Sequence, residues 1–323
     1  MKAQGLILLY VLAVGITGSH TPMLGQTVRR AGIGPVAGAS RPAGVPAGYV
    51  ITPFGYFHPS CVERLAKGEK LLADGRVQHA DGTVEAVAPV CTYPRYTPSG
   101  LPVTPGAGLS AEINGWIENA NITTGSPDKS FGSLIGVWIV PPEPRHKGDQ
   151  VLFFFPGFED INDAQTSILQ PTLEWWAPTN WTIASWNCCI SGITIASPGV
   201  NVRPGDLIYG SITSTCPAGT LSCPTWNVLA VDLSSGDSTT LEDTPSEGQI
   251  FNWAFGGTLE AYSVGSCADF PDDDGISFDF VTVFDERLNP VKHPKWTVTS
   301  TFPTSPACNY GVKADWHEIR LNY

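Results

Sequence analysis

The 323 residues are 42% hydrophobic and only 15% charged, and 34 Gly with 28 Pro supply many turn formers, a balance that favours sheet over helix. A formal net charge of -12 excludes the basic surface that phosphate binding needs, so nucleic acid is not an expected partner. Residues 1–107 carry 9 Lys+Arg and 5 Asp+Glu, whereas residues 108–323 carry 9 and 25. A basic front is thus joined to an acidic body, either resting on it electrostatically or standing as a separate small domain with ordinary charge scatter.

In chain order, Met-Lys and the apolar run GLILLYVLAVGI lead into TGSHT. This predicts a secretory signal peptide over residues 1–21, with an uncleaved anchor as the alternative. Export to the extracellular space follows, with no membrane contact after cleavage, since no later segment approaches the ~20 apolar residues of a spanning helix. Residues 22–50 are rich in Gly, Ala and Pro without apolar period and read as a flexible linker, with Arg29-Arg30 as an exposed site. Residues 51–105 read as a small α+β unit. In it HPSC, ending at Cys61, leads into a short helix, and VQHADGTVEAV forms a hairpin turning at Asp81-Gly82. A Pro- and Gly-rich stretch then marks a boundary near residue 105.

From residue 106 to 323 the chain reads as strand after strand: EINGWIENANIT, SLIGVWIVP, QVLFFFPGF, QTSILQPTLEWW, NWTIASWN, DLIYGSITS, TWNVLAVDL, GQIFNWAF, TLEAYSV, SFDFVTVF, KWTVTSTF and VKADWHEIRL. About a dozen strands with turn signals between them predict an all-β fold, a two-sheet sandwich, and the internal similarity is too weak for propeller blades. Eight cysteines in an exported chain predict disulfides. Cys61 and Cys91 bracket the front, Cys216 and Cys223 close a tight loop, and the pairing of Cys188, Cys189, Cys267 and Cys308 stays open.

Two stretches carry the candidate chemistry. In QTSILQPTLEWW, Leu169, Leu173 and Trp175 point one way, and Ile168, Gln170, Thr172, Glu174 and Trp176 the other. An amide, a hydroxyl, a carboxylate and an indole on one strand face suit a groove that binds something. TLEAYSV repeats the arrangement with Glu260 between Thr258 and Tyr262. There is no GxSxG, HExxH, P-loop or dinucleotide fingerprint. PDDDG at Pro271–Gly275 lacks the alternating spacing of a calcium loop, so no metal and no cofactor are expected. A carboxyl group in a partly apolar groove walled by Trp176 and Tyr262 is suited to exchange protons with water, and a neighbouring amide to hydrogen-bond an oxyanion.

From about Asn114 to Tyr323 the chain resembles the eqolisins, the secreted glutamic peptidases of the scytalidopepsin B and aspergilloglutamic peptidase type. The resemblance lies in the order of NGW, SLIGVWIVPPEP, FFFPGFED, SILQPTLEW, GDLIYGSI, TLEAYSV and SFDFVTVF. It implies a lectin-like (concanavalin A-like) β-sandwich whose concave face is the substrate cleft. It also implies acid-active, metal-independent endopeptidase activity on protein or peptide substrates, by a monomer whose basic N-terminal pro-region, residues 51–105, is removed on acidification. It carries the catalytic pair to Gln170 and Glu260. The family's cleft Trp falls at Phe155, its following Asp near Glu159, and the residue after its catalytic Glu is Ala261 instead of Trp. Phe155, Glu159, Glu174, Trp176 and Tyr262 are therefore the expected substrate-binding residues. Gln165 is a rival amide on the opposite face of a regular strand, and Glu174 a rival acid that would give a Glu-Glu pair as in neprosin-like peptidases. A glycan-binding sandwich using its Trp plates, or a degenerate peptidase fold, are the alternatives from other classes.

Overall fold

The computed structural model describes residues 41–72, 74–85, 90–103, 116–162, 168–190, 192–300 and 305–323. The signal segment, Arg29-Arg30, Gln165 and the boundary near residue 105 lie outside the described residues. The chain divides into two compact units, Met1–Ala31 and Gly32–Tyr323, and everything described belongs to the second.

The N-terminal part holds short strands, β1 (Val50–Thr52), β2 (Gly55–Phe57), β3 (Val62–Arg64), β4 (Lys70–Leu71), β5 (Val77–Gln78), β6 (Arg95–Tyr96) and β7 (Pro102–Val103). The body follows with β8 (Trp116–Thr123), β9 (Phe131–Ile139), β10 (Val151–Glu159), β11 (Ile168–Trp176), β12 (Asn180–Ile190), β13 (Ile193–Ala196), β14 (Val200–Val202) and β15 (Leu207–Ser214). The chain then adds β16 (Thr225–Asp232), β17 (Ser238–Pro245), β18 (Trp253–Tyr262), β19 (Gly275–Asp285), β20 (Thr297–Ser300), β21 (Gly311–Ala314) and β22 (Glu318–Asn322).

A nine-stranded sheet runs β20-β8-β18-β10-β11-β12-β13-β3, with β14 also on β12, and a seven-stranded sheet runs β17-β16-β15-β9-β19-β22-β21. The sandwich core lies between them. Leu152, Phe154 and Phe158 of β10, Leu169, Leu173 and Trp175 of β11 and Leu259 of β18 join one apolar cluster with Leu134, Trp138, Ile208, Ile212, Val228 and Phe278 of the second sheet. These are the odd positions of β11 that the alternation pointed inward, and full burial of each large side chain contributes about 1.5–3 kcal/mol.

Several sequence expectations are corrected. The short helix after HPSC is a single 3-10 turn, Pro59–Cys61, in which His58 accepts from the Ser60 N–H. The chain cannot continue as helix because Val62–Arg64 is drawn onto the sheet edge, pairing in parallel with Thr194–Ala196. The front is therefore strands and turns instead of α+β. Residues 41–50, read as the end of a flexible linker, pack instead, with Val45 and Tyr49 buried. GQIFNWAF and TLEAYSV merge into the single strand β18, since Gly256 and Gly257 do not break it. They let the second sheet approach: a Cβ on Gly256 would meet Ile319 Cδ1 at 2.1 Å, and one on Gly257 would meet Phe278 Cδ2 at 2.7 Å. VKADWHEIRL, conversely, splits into β21 and β22 around a turn in which Asp315 accepts from the N–H groups of His317 and Glu318. All eight cysteines are paired, Cys61–Cys91 and Cys216–Cys223 as expected, with Cys188–Cys189 and Cys267–Cys308 completing the set.

One carboxyl group lies outside the face that carries the candidate site. Glu118 of β8 is fully buried, accepts only from the Gly311 N–H at 3.0 Å, and is pushed up to about 8 by burial. An acid whose folded value lies above its unfolded one favours the protonated fold, so its contribution is whole below about 4.5 and disappears as pH rises through about 8. Glu118→Gln keeps the acceptor without the charge. The variant is expected to match the parent in thermal melts near pH 4 and to exceed it at pH 8 by a margin on the order of a few kcal/mol; an unchanged pH profile would show that Glu118 does not govern the alkaline limb.

Candidate active site

The outer face of the nine-stranded sheet, away from the second sheet, carries the candidate residues, and residues 45–62 and 91–96 cover it, whereas Leu65, Leu71 and Val77 pack with the sandwich core. Tyr49, Ile51, Phe54, Tyr56 and Phe57 form a second apolar cluster with Val151, Phe153, Phe155, Ile168, Trp186, Phe255 and Tyr262 of the sheet. Strand β10 is buried at all nine positions because it has the sandwich core on one side and this cover on the other.

Register fixes where each candidate stands. Phe153 pairs with Glu260 on β18 and with Glu174 on β11, so the two carboxyl groups share one row with a phenyl ring between them. Phe155 pairs with Thr258 in the next row of that face. Gln170 pairs with Trp186 on its other side and lies beside Gly157, where a Cβ would come 3.5 Å from Gln170 Cγ. The alternation argument thus placed Gln170, Glu174 and Glu260 on a common face. It did not bring Gln170 into the row of Glu260: four residues of β11 separate it from Glu174.

The environments of these groups differ. Glu260 is fully buried and accepts a hydrogen bond from the Tyr262 hydroxyl. Burial raises its pKa well above the usual carboxylate range, against the pull of hydrogen bonds from Tyr262 and Trp116 and the positive charge of Arg95. Tyr262 is itself raised, by burial and by Glu260, and meets Tyr56 of the cover edge-on at 5.3 Å. Tyr56 is pushed up to about 12 by burial and the Glu260 charge. Arg95, on β6 of the cover, is lowered to about 10 by desolvation and faces Glu159, Tyr262 and Glu260, with one N–H reaching the Phe54 carbonyl at 3.3 Å. Glu159 is fully buried at the far end of β10.

Glu174 is held by three donors: the indole N–H of Trp176 at 2.7 Å, that of Trp186, and the Thr182 hydroxyl at 2.9 Å. Trp176 is therefore a second support for Glu174 as well as a wall, stacking edge-on against Phe153 at 5.2 Å. Gln170, Thr172 and Thr258 are fully buried, and neither amide atom of Gln170 nor either hydroxyl has a hydrogen-bond partner among the described residues. Buried polar groups without partners each cost about 1–3 kcal/mol, and these three lie on one face of the sheet. Sequence reasoning missed Tyr56, Arg95 and Arg64, all from the N-terminal part, because nothing local in ITPFGYF, PRY or VER signals that these side chains close over a distant strand. Asn121, on β8 at the edge of this face, is buried and its amide donates to Asn119 and Thr299.

No family model matches the sequence, and no curated protein matches it. Among solved structures, a scytalido-glutamic peptidase with a peptide-based transition-state analogue is similar at 14% identity and TM-score 0.48, over 64% of this chain and 98% of that one. SCP-B, a member of the eqolisin family in complex with the tripeptide Ala-Ile-His, is similar at 15% identity and TM-score 0.47, with coverage of 64% and 98%. The aspergilloglutamic peptidase from Aspergillus niger is similar at 14% identity and TM-score 0.40, with coverage of 54% and 98%.

The unpaired amide yields a test of its own. Gln170→Met keeps volume and removes both unsatisfied polar atoms, so the covered chain is expected to gain about 1–3 kcal/mol in unfolding free energy, read as a higher urea midpoint at unchanged slope. A loss of stability instead would mean that the amide serves the fold.

Proposed function

We propose that the protein is a secreted, acid-active endopeptidase made as a zymogen, with Glu260 as general base and acid and Gln170 as oxyanion donor. The observation that carries this reading is the set of unpartnered polar groups, Gln170, Thr172 and Thr258, beside a buried carboxyl group on a face that the chain's own N-terminal part covers. A peptide laid across such a face would supply the missing donors and acceptors through its backbone. Four disulfides fit an oxidising, extracellular setting.

With the cover displaced and water admitted, the desolvation that holds Glu260 neutral is relieved, and its carboxylate takes a proton from the water attacking the peptide carbonyl. The Gln170 amide N–H donates to the oxyanion of the tetrahedral intermediate, and Glu260, now protonated, delivers that proton to the leaving nitrogen as the C–N bond breaks. Two strand spacings across and four residues along separate the two Cα atoms by about 16 Å. Side chains on one strand face stand roughly perpendicular to the sheet, so the mechanism requires Gln170 and Glu260 to lean toward each other over the bound peptide once the cover has left. Tyr262 would orient Glu260, and Phe153, Phe155 and Trp176 would line the groove, with Glu159 at its end.

A Glu260–Glu174 pair is the second reading, favoured by the row the two share across Phe153. Against it, Glu174 already accepts three hydrogen bonds, which suits a fixed anion better than a proton carrier.

The purified full chain, incubated at acid pH with casein, is expected to release its N-terminal part and then digest the substrate. Glu260→Gln and Gln170→Ala, each with an unchanged circular dichroism spectrum, are expected to lose roughly 10²–10⁴-fold in rate. A folded Glu260→Gln protein that still cleaves casein sinks the mechanism. Activity retained in Gln170→Ala but lost in Glu174→Gln moves the second role to Glu174.

A further inference from the structure

A cavity of about 380 Å³ opens on the seven-stranded sheet, the sheet that does not carry the candidate catalytic residues. Its size falls within the range of small-ligand sites, about 300–1,000 Å³. Alternation sets its lining. Ile276 and Phe278 of β19 and Ile319 and Leu321 of β22 join the core, so Ser277, Asp279 and Arg320 stand on the opposite face and line the cavity. Ile139, at the end of β9 and 55% exposed, forms an apolar wall with Pro141 and Pro142.

Two opposite charges in this cavity are neighbours and do not pair. Register puts Ser277 opposite Arg320 and Asp279 opposite Glu318, so Asp279 and Arg320 are diagonal neighbours about 7–8 Å apart along the backbone. The guanidinium turns the other way. Its Nε donates to Asn322 Oδ1 at 3.1 Å and Nη1 to Ser277 Oγ at 3.5 Å, and its charge acts on Asp273. Asp279 meanwhile faces a like charge. Glu318 stands directly opposite it, an arrangement that destabilises a strand pair. Burial and that charge raise the Asp279 pKa, against the pull of His317.

An ammonium group beside Asp279 relieves this repulsion, and a carboxylate answers Arg320. A molecule with only one of these charges is repelled by the other half of the cavity, since Arg320 opposes a cation, and Asp273 and Asp279 oppose an anion. Both charges on one small molecule, with an aliphatic body against Ile139 and the two prolines, describe a zwitterionic amino acid. We propose that this cavity binds a free amino acid with an aliphatic side chain, its ammonium on Asp279, its carboxylate on Arg320 and its side chain against Ile139, Pro141 and Pro142. The site does not depend on the endopeptidase reading.

Saturation-transfer NMR on the full chain near pH 7, with leucine as the probe, tests this. The leucine methyl protons are expected to receive saturation in a concentration-dependent way. Leucine amide lacks the anion and N-acetyl-leucine lacks the cation, so each forfeits a charged hydrogen bond and is expected to bind about 10-fold more weakly. Glycine, without the aliphatic body, should fail to displace leucine at equal concentration. Asp279→Asn is expected to weaken leucine about 10-fold and bring it level with N-acetyl-leucine, and Arg320→Gln to bring it level with leucine amide. Should Arg320→Gln fail to fold, Asp279→Asn carries the test alone. Leucine amide or N-acetyl-leucine binding as well as leucine, leucine binding unchanged in Asp279→Asn, or no transfer to leucine from folded wild type overturns the site.

Discussion

A strand packed on both faces cannot hide a polar side chain, and this constraint governs the molecule. Strand β10 and its neighbours β11 and β18 have the sandwich core behind them and residues 45–62 and 91–96 in front. Every amide, hydroxyl and carboxyl group on their outer face has therefore been taken out of water, where each must find a partner, shift its protonation or remain unsatisfied. All three outcomes occur within a few residues of one another.

Glu174 found partners, and two indoles, a hydroxyl and the Arg64 guanidinium make its buried charge tolerable. Glu260 shifts its protonation, since desolvation outweighs the help of Tyr262, Trp116 and Arg95. Gln170, Thr172 and Thr258 remain unsatisfied. Groups of one sheet face thus differ through their surroundings alone: a carboxylate held by three donors, a carboxyl group whose pKa burial raises, and an amide and two hydroxyls left unpaired.

The sandwich was legible because strands such as β11, β15, β16 and β19 announce themselves by alternation, and the inward set Leu169, Leu173 and Trp175 could be named from their spacing. The outer set was legible for the same reason, although alternation assigns a face and not a row, and so could not tell that Glu174 instead of Gln170 stands level with Glu260. GQIFNWAF and TLEAYSV read as two strands because Gly256-Gly257 interrupts the side-chain pattern, whereas the pair lets Ile319 and Phe278 approach. Strand β17, STTLEDTP, escaped notice because its apolar content is a single Leu241, and it is held by pairing with β16. The front was least legible. Strands of two or three residues have no period to detect, and their conformation is set by the sheet edge and the apolar cluster they complete.

Stability and function pull against each other on this face, and the cover reconciles them. An open groove lined by Phe153, Phe155, Trp186 and Phe255 would present a large apolar surface to water, a condition that monomeric proteins rarely sustain. Filling it with Tyr56, Phe54 and Phe57 buries that surface, but apolar and aromatic side chains cannot answer the hydrogen-bonding needs of Gln170, Thr172 and Thr258. The cover is thus matched to the walls of the groove and mismatched to its floor. It does make polar matches at its edge, where Arg64 meets Glu174, and through Arg95, which faces Glu159 and Glu260. A segment bound this way gains from buried area and from its charged contacts at the edge, while an incoming peptide backbone would gain from the very groups the cover leaves unpaired. The difference between the two occupants lies in the floor of the groove, which is where the proposed catalytic amide stands.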